Sequence, residues 1–200
     1  MTLRLKTVWF KNAGGRSAGD IASVIASTIW RLADNAVTEL SKADYDIVTP
    51  ERGVRIIGEM AAFLLHMCDR MVYGRVPEPE RAQLVQRAGL RLGEIVQDNV
   101  RAMVGEDSFD YKANFIEMVN RRAADYATFE TAPEKPSFAL LRYLGLAVRE
   151  VMLESDQHWV ADQVMEIQAP EALGFLKKTI DGLLAPPAPG ARRRSQVAGD

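Results

Sequence analysis

Only two histidines and one cysteine occur in the 200 residues, and two of these three fall in residues 59–75, EMAAFLLHMCDRMVYGR. His66, Cys68 and Asp69 bring imidazole, thiol and carboxylate within four positions, the side-chain types that bind zinc or activate a nucleophile. At about 100° per residue the helical wheel separates them. Val54, Ile57, Ala61, Leu64, Leu65, Cys68, Met71 and Val72 share one face, and Ile56, Met60, Phe63 and Met67 widen it past half the circumference. Cys68 is therefore expected inside, as a small hydrophobe. His66 lies opposite, on a narrow polar stripe with Arg55, Glu59, Asp69, Arg70 and Tyr73. Such a stripe either touches solvent or lines a pocket. Solvent is the simpler expectation, with Glu59 or Asp69 as the nearest charged neighbours of His66.

The second histidine stands in EVMLESDQHWVADQ, residues 150–163. Ser155, His158 and Asp162 share a helical face, yet three triad members on one straight helix cannot converge, and no oxyanion hole is evident. Ser155 is expected to cap a helix instead. Carboxylate-bridged di-metal bundles use paired Glu-x-x-His motifs. Here Phe63 and Ser155 occupy the glutamate positions, so the motif is absent. A mixed metal set of Glu59, His66, Asp69, Glu154 and His158 would need two helices to face each other there. No cofactor and no catalytic residue are expected. A ligand-binding role would rest on Glu59, His66, Asp69, Arg70, Tyr73 and His158.

Residues 84–96, LVQRAGLRLGEIV, resemble the helix-turn-helix segment of bacterial regulators, with Ala88-Gly89-Leu90 at the turn and Ile95 inward. The departures are specific. Val85 stands where a small residue allows close packing, Arg91 replaces a capping Ser or Thr, and Leu92 would face DNA. The apolar phase also runs unbroken through Gly89 and Gly93, whereas a turn of about 90–120° should reset it. One continuous helix is expected, its two glycines admitting a close neighbour. GGRSAG, residues 14–19, lacks the lysine and spacing of a phosphate loop.

These residues must be held by helices whose ends the sequence marks. Ser17 with Asp20 forms a capping box for a helix to about Lys42, with Ile21, Val24, Ile25, Thr28, Leu32 and Ala36 inward. Thr49-Pro50-Glu51 opens the helix carrying His66, which ends near Tyr73 before Gly74 and Pro77. Pro79-Glu80 opens a third, with Leu84, Ala88, Leu92, Ile95, Val96, Val100 and Met103 in phase, stopping at Gly105. Ser108 is expected to cap a fourth, with Phe115, Val119, Ala123, Tyr126 and Phe129 inward. Pro133 and Pro136 break the chain before Ser137 caps a fifth. Carried to Gln168 that helix would be about 48 Å long, against about 33 Å for twice the expected radius of gyration. Its apolar phase also shifts, so a restart at Ser155-Asp156 is expected. A last helix spans residues 170–184, with Leu173, Leu176, Ile180 and Leu183 inward.

The expected fold is an all-α bundle of five to six helices over residues 1–185, with a short extended arm at residues 1–16 and a disordered Pro/Arg-rich tail at 186–200. Composition agrees: 48% hydrophobic and 26% charged residues describe a globular chain. The formal charge is −2; Arg192, Arg193, Arg194 and Asp200 in the tail sum to +2 and leave the body at −4. An acidic body gives no electrostatic reason to bind nucleic acid. A lone cysteine suits a reducing compartment. No signal peptide and no apolar run of the roughly 20 residues a span needs are evident, so a soluble cytoplasmic protein is expected. The leading functional expectation is a non-enzymatic module that binds a partner protein or forms a homodimer. The alternative is a small-molecule or metal-binding bundle using the polar stripe with His158, and a DNA-binding regulator is disfavoured.

Overall fold

The computed structural model describes residues 17–47, 49–105, 108–132 and 135–185. The expected arm, the tail and Pro133 lie outside them. The helices are α1 (Ala18–Lys42), α2 (Pro50–Val72), α3 (Glu78–Val104), α4 (Tyr111–Tyr126), α5 (Phe138–Arg149), α6 (Gln157–Gln163) and α7 (Ala169–Leu184). A 3₁₀ turn, Glu154–Asp156, precedes α6, and a π-helical turn, Val164–Gln168, joins α6 to α7. The last two helices are thus contiguous, and the fold is all-α. Among the described residues no helix is long and apolar enough to cross a membrane.

Local chemistry sets most of the ends. The Asp20 amide donates to the Ser17 hydroxyl (3.1 Å) while the Ser17 amide donates to the Asp20 carboxylate (2.9 Å), satisfying two amides that α1 cannot bond internally. Thr49 accepts from the Arg52 amide and Ser137 from the Leu140 amide. Two ends differ from expectation. Asp110, not Ser108, caps α4, accepting from the Ala113 amide at 2.8 Å. Ser155 caps nothing: it is exposed, and its hydroxyl meets only the Asp156 carboxylate, at 3.4 Å. The restart itself falls where expected: α5 ends at Arg149, and the 3₁₀ turn Glu154–Asp156 leads into α6. Asp156 instead accepts from the backbone amide of Asp46 (2.7 Å), tying the α1–α2 connection to the start of α6 across 110 residues.

The last helix, expected over residues 170–184, spans Ala169–Leu184, but it is contiguous with α6 and not a separate element. Pro170 lacks the N–H that would bond the Glu166 carbonyl, and its ring would crowd that carbonyl. The chain accommodates it by widening: the Ala169 amide reaches back five residues to the Val164 carbonyl. One helical rod therefore runs from Gln157 to Leu184.

α2 is central, packing against α1, α3, α4, α5 and α7. Its buried residues run almost unbroken from Ile56 to Val72, and one hydrophobic cluster draws on every helix. α3 is continuous through residues 89–93, without a helix-turn-helix bend. Its glycines admit two different neighbours. A Cβ on Gly89 would stand 3.3 Å from Leu65 of α2, and one on Gly93 would stand 3.2 Å from Lys112 at the start of α4. The tightest approach is Gly145, where a Cβ would fall 2.9 Å from the Ala161 carbonyl oxygen, so α5 and α6 meet backbone to backbone. Three residues expected inside are exposed: Val24 at the edge of the α1 interface, Met103 in the last turn of α3, and Ala123, which borders a cleft.

Candidate functional site

Each member of the polar stripe on α2 has a distinct setting. Glu59 is not solvated: it is buried and takes two hydrogen bonds from Arg122 of α4, both 2.7 Å. Arg122 also donates to the Tyr143 hydroxyl of α5 (2.7 Å), which in turn donates to Asp125 (2.5 Å). The bonds to Glu59 hold the Arg122 guanidinium firmly protonated, outweighing its burial. Nearly three turns further along, Asp69 accepts from Arg70 (2.6 Å) and from Arg81 of α3. Arg81 is also bonded twice by Glu78, whose carboxyl that contact lowers. The guanidinium groups of Arg70 and Arg81 each lie 5.4 Å from the centre of the exposed Tyr73 ring. These partners on α3 and α4 had no local signal in the sequence. The one available hint was the run Arg122, Asp125, Tyr126 on the inward side of α4.

His66 stands between these two networks and belongs to neither. Its ring is half-buried, 5.3 Å from that of Tyr126, and its Nε2 is enclosed with no hydrogen-bond partner among the described residues. The Tyr126 hydroxyl is likewise enclosed and unpartnered. Burial lowers the imidazole pKa below 6.5, nearby Arg70 lowers it further, and Asp69 opposes both. At neutral pH His66 is therefore uncharged.

His66 and Asp69 border a cleft of about 550 Å³ between α2, α3 and α4. Leu65, Val85, Leu90, Ile116 and Val119 give it apolar walls, Gln86 and Asn120 contribute amides, and the Asp69–Arg81 pair stands at the end nearest the α2–α3 connection. Gly89 keeps the cleft open, because any side chain there would project toward Leu65. Ala123 borders the opening, which is why it is exposed.

The remaining residues singled out from the sequence lie elsewhere. Glu59, Arg70 and Tyr73 do not line the cleft. His158 is exposed on α6 with its ring 5.9 Å from Trp159, and Glu154 begins the 3₁₀ turn before it. Among the described residues no three His, Cys, Asp or Glu side chains are grouped to hold a metal ion, so Glu59, His66, Asp69, Glu154 and His158 do not form one set. Cys68 is wholly buried on the opposite side of α2, and burial pushes its thiol up to about 12. Comparison with family models, curated proteins and solved structures gave no match.

Proposed function

We propose that the protein binds a small, largely apolar molecule with one uncharged hydrogen-bonding group in the cleft between α2, α3 and α4. The observation that carries this is a cleft of about 550 Å³ with apolar walls and, at its edge, an uncharged histidine whose Nε2 has no partner among the described residues. Small-molecule sites usually measure roughly 300–1,000 Å³ and combine apolar walls with a few polar groups. A buried polar atom left unpaired costs about 1–3 kcal/mol, which a ligand contact would recover. Because Nε2 is enclosed, the imidazole must turn toward the cleft to make that contact, a side-chain change common on binding. The charges beside it are already matched: Asp69 with Arg70 and Arg81, and Arg81 with Glu78. A carboxylate or ammonium entering there would lose hydration without meeting an unpaired opposite charge, which favours an alcohol, amide or phenol.

The probe for a first test is N-phenyl-1-naphthylamine, an uncharged fluorescent amine. Saturable binding with one site per chain is expected. Ala123→Trp places bulk at the cleft from an exposed position and should weaken binding about tenfold or more, the effect of losing a few apolar contacts, without changing the melting temperature. Absent saturable binding, or equal binding by Ala123→Trp, the reading fails.

A further inference from the structure

From Glu150 to Leu176 the chain carries six acidic residues and no lysine or arginine, although the whole molecule is only −2. Most of this stretch lies in the 3₁₀ turn, α6, the π-helical turn and the first half of α7. Its outer side is unusual in a second respect: Trp159, Ile167 and Phe175 are 68%, 41% and 60% exposed. Asp162, Glu166 and Glu171 are exposed between them, and none of the three has an ion-pair partner among the described residues.

The π-helical turn brings part of this surface into line. Eight residues along a regular α-helix end about 80° away from the starting face at 3.6 residues per turn. One wider i→i+5 turn takes up roughly one extra residue, so Trp159 and Ile167 fall two turns apart on the same side. An aromatic and an aliphatic anchor, spaced two turns apart and flanked by unpaired carboxylates, match a helix with apolar residues on one face and lysine or arginine beside them. The charge also selects against other occupants. A second copy presenting the same face would set carboxylates against carboxylates, and an anionic lipid surface or nucleic acid would be repelled.

We propose that the outer face of α6 and α7 docks a basic amphipathic segment of a partner protein, with Trp159 and Ile167 as apolar anchors and Asp162, Glu166 and Glu171 as the charged rim. Exposed tryptophan is the residue type most enriched at energetically dominant interface positions, and the rim charges set partner choice and association rate. This surface is separate from the cleft, which is bounded by α2, α3 and α4.

The test uses the full chain and a synthetic leucine–lysine peptide of about fourteen residues, long enough for roughly four helical turns, followed by calorimetry and tryptophan fluorescence, with Trp159→Ala identifying the contribution of Trp159 among the three tryptophans. Saturable one-to-one binding is expected, weakening as salt is raised. Trp159→Ala should lower affinity about tenfold, and the pair Asp162→Lys with Glu166→Lys should lower it at least as much. Asp98→Lys with Glu117→Lys makes the same change in net charge on exposed residues of α3 and α4 and should leave affinity within about twofold. All these positions are exposed, so circular dichroism should be unchanged. Equal loss in both charge-reversed pairs would mean attraction to net charge alone and overturn the proposal. So would no binding, a dimer that Trp159→Ala dissociates, or binding seen only after residues 186–200 are removed, which would make the chain's own arginines the occupant.

Discussion

Cys68 and His66 sit two residues apart on α2 and experience opposite surroundings, the one enclosed by apolar side chains and the other beside a cleft. The buried thiol, held protonated with a pKa near 12, is expected to resist thiol reagents in the native protein and to react promptly once denatured. Mass spectrometry of labelled protein with and without denaturant checks this; rapid native labelling would contradict the burial. Cys68→Ala should cost about 1 kcal/mol through a small cavity, and Cys68→Asp several times more. For His66 the sign follows from a folded-state pKa below 6.5. Once the pH falls under that value the unfolded chain takes up the proton before the folded chain does, so stability declines with falling pH and levels off below the folded pKa. Urea midpoints measured between pH 7.5 and 5 should show this decline, and His66→Leu should flatten it. A histidine contribution that instead strengthens toward acid would mean that Asp69 outweighs burial.

At the scale of the helices, two glycines separate close packing from mere tolerance. Gly145→Ala would drive a methyl into the Ala161 carbonyl region, where only backbone can yield. It should destabilise by about 1–3 kcal/mol, as other overpacked contacts do. Gly174→Ala, in the exposed part of α7 with no atom within 4 Å of the new methyl, should stabilise by about 0.5–1 kcal/mol. Thermal melts of the two variants shifting in the same direction would refute the difference. The helices themselves were readable in the residues because caps are local: Ser17 with Asp20, Thr49 with Pro50, and Ser137 each bond backbone within three positions. Asp110 displaced Ser108 for a reason equally local but undecidable from order alone, since both are capping types two residues apart. The π-helical turn at Pro170 was missed because proline is as compatible with a new helix as with a widened old one. The Glu59–Arg122 and Asp69–Arg81 pairs were beyond reach, because a wheel gives the face of one helix and not which neighbour covers it. For the same reason only two of the six residues expected in the polar site, His66 and Asp69, meet at one cleft, while His158 lies on a different helix.

For the whole molecule, the straight course of α3 and the acidic body both argue against duplex binding. Leu84, Ala88, Leu92, Val96 and Val100 on α3 are committed to the core, so residues 84–96 present no recognition helix. A mobility-shift assay with mixed-sequence duplex at low salt should show no complex; a salt-sensitive shift would reverse that conclusion. The bond between the Asp46 amide and the Asp156 carboxylate has a different kind of consequence. Asp46 lies in an irregular connection, where amide protons ordinarily exchange with solvent within moments, yet its partner comes from the far end of the sequence. Deuterium uptake at this one amide should therefore be slow, and its rate should track the detachment of the α6–α7 rod from the rest of the bundle. Asp156→Ala would release it, leaving an amide in the first quarter of the chain as the clock for the undocking of the last.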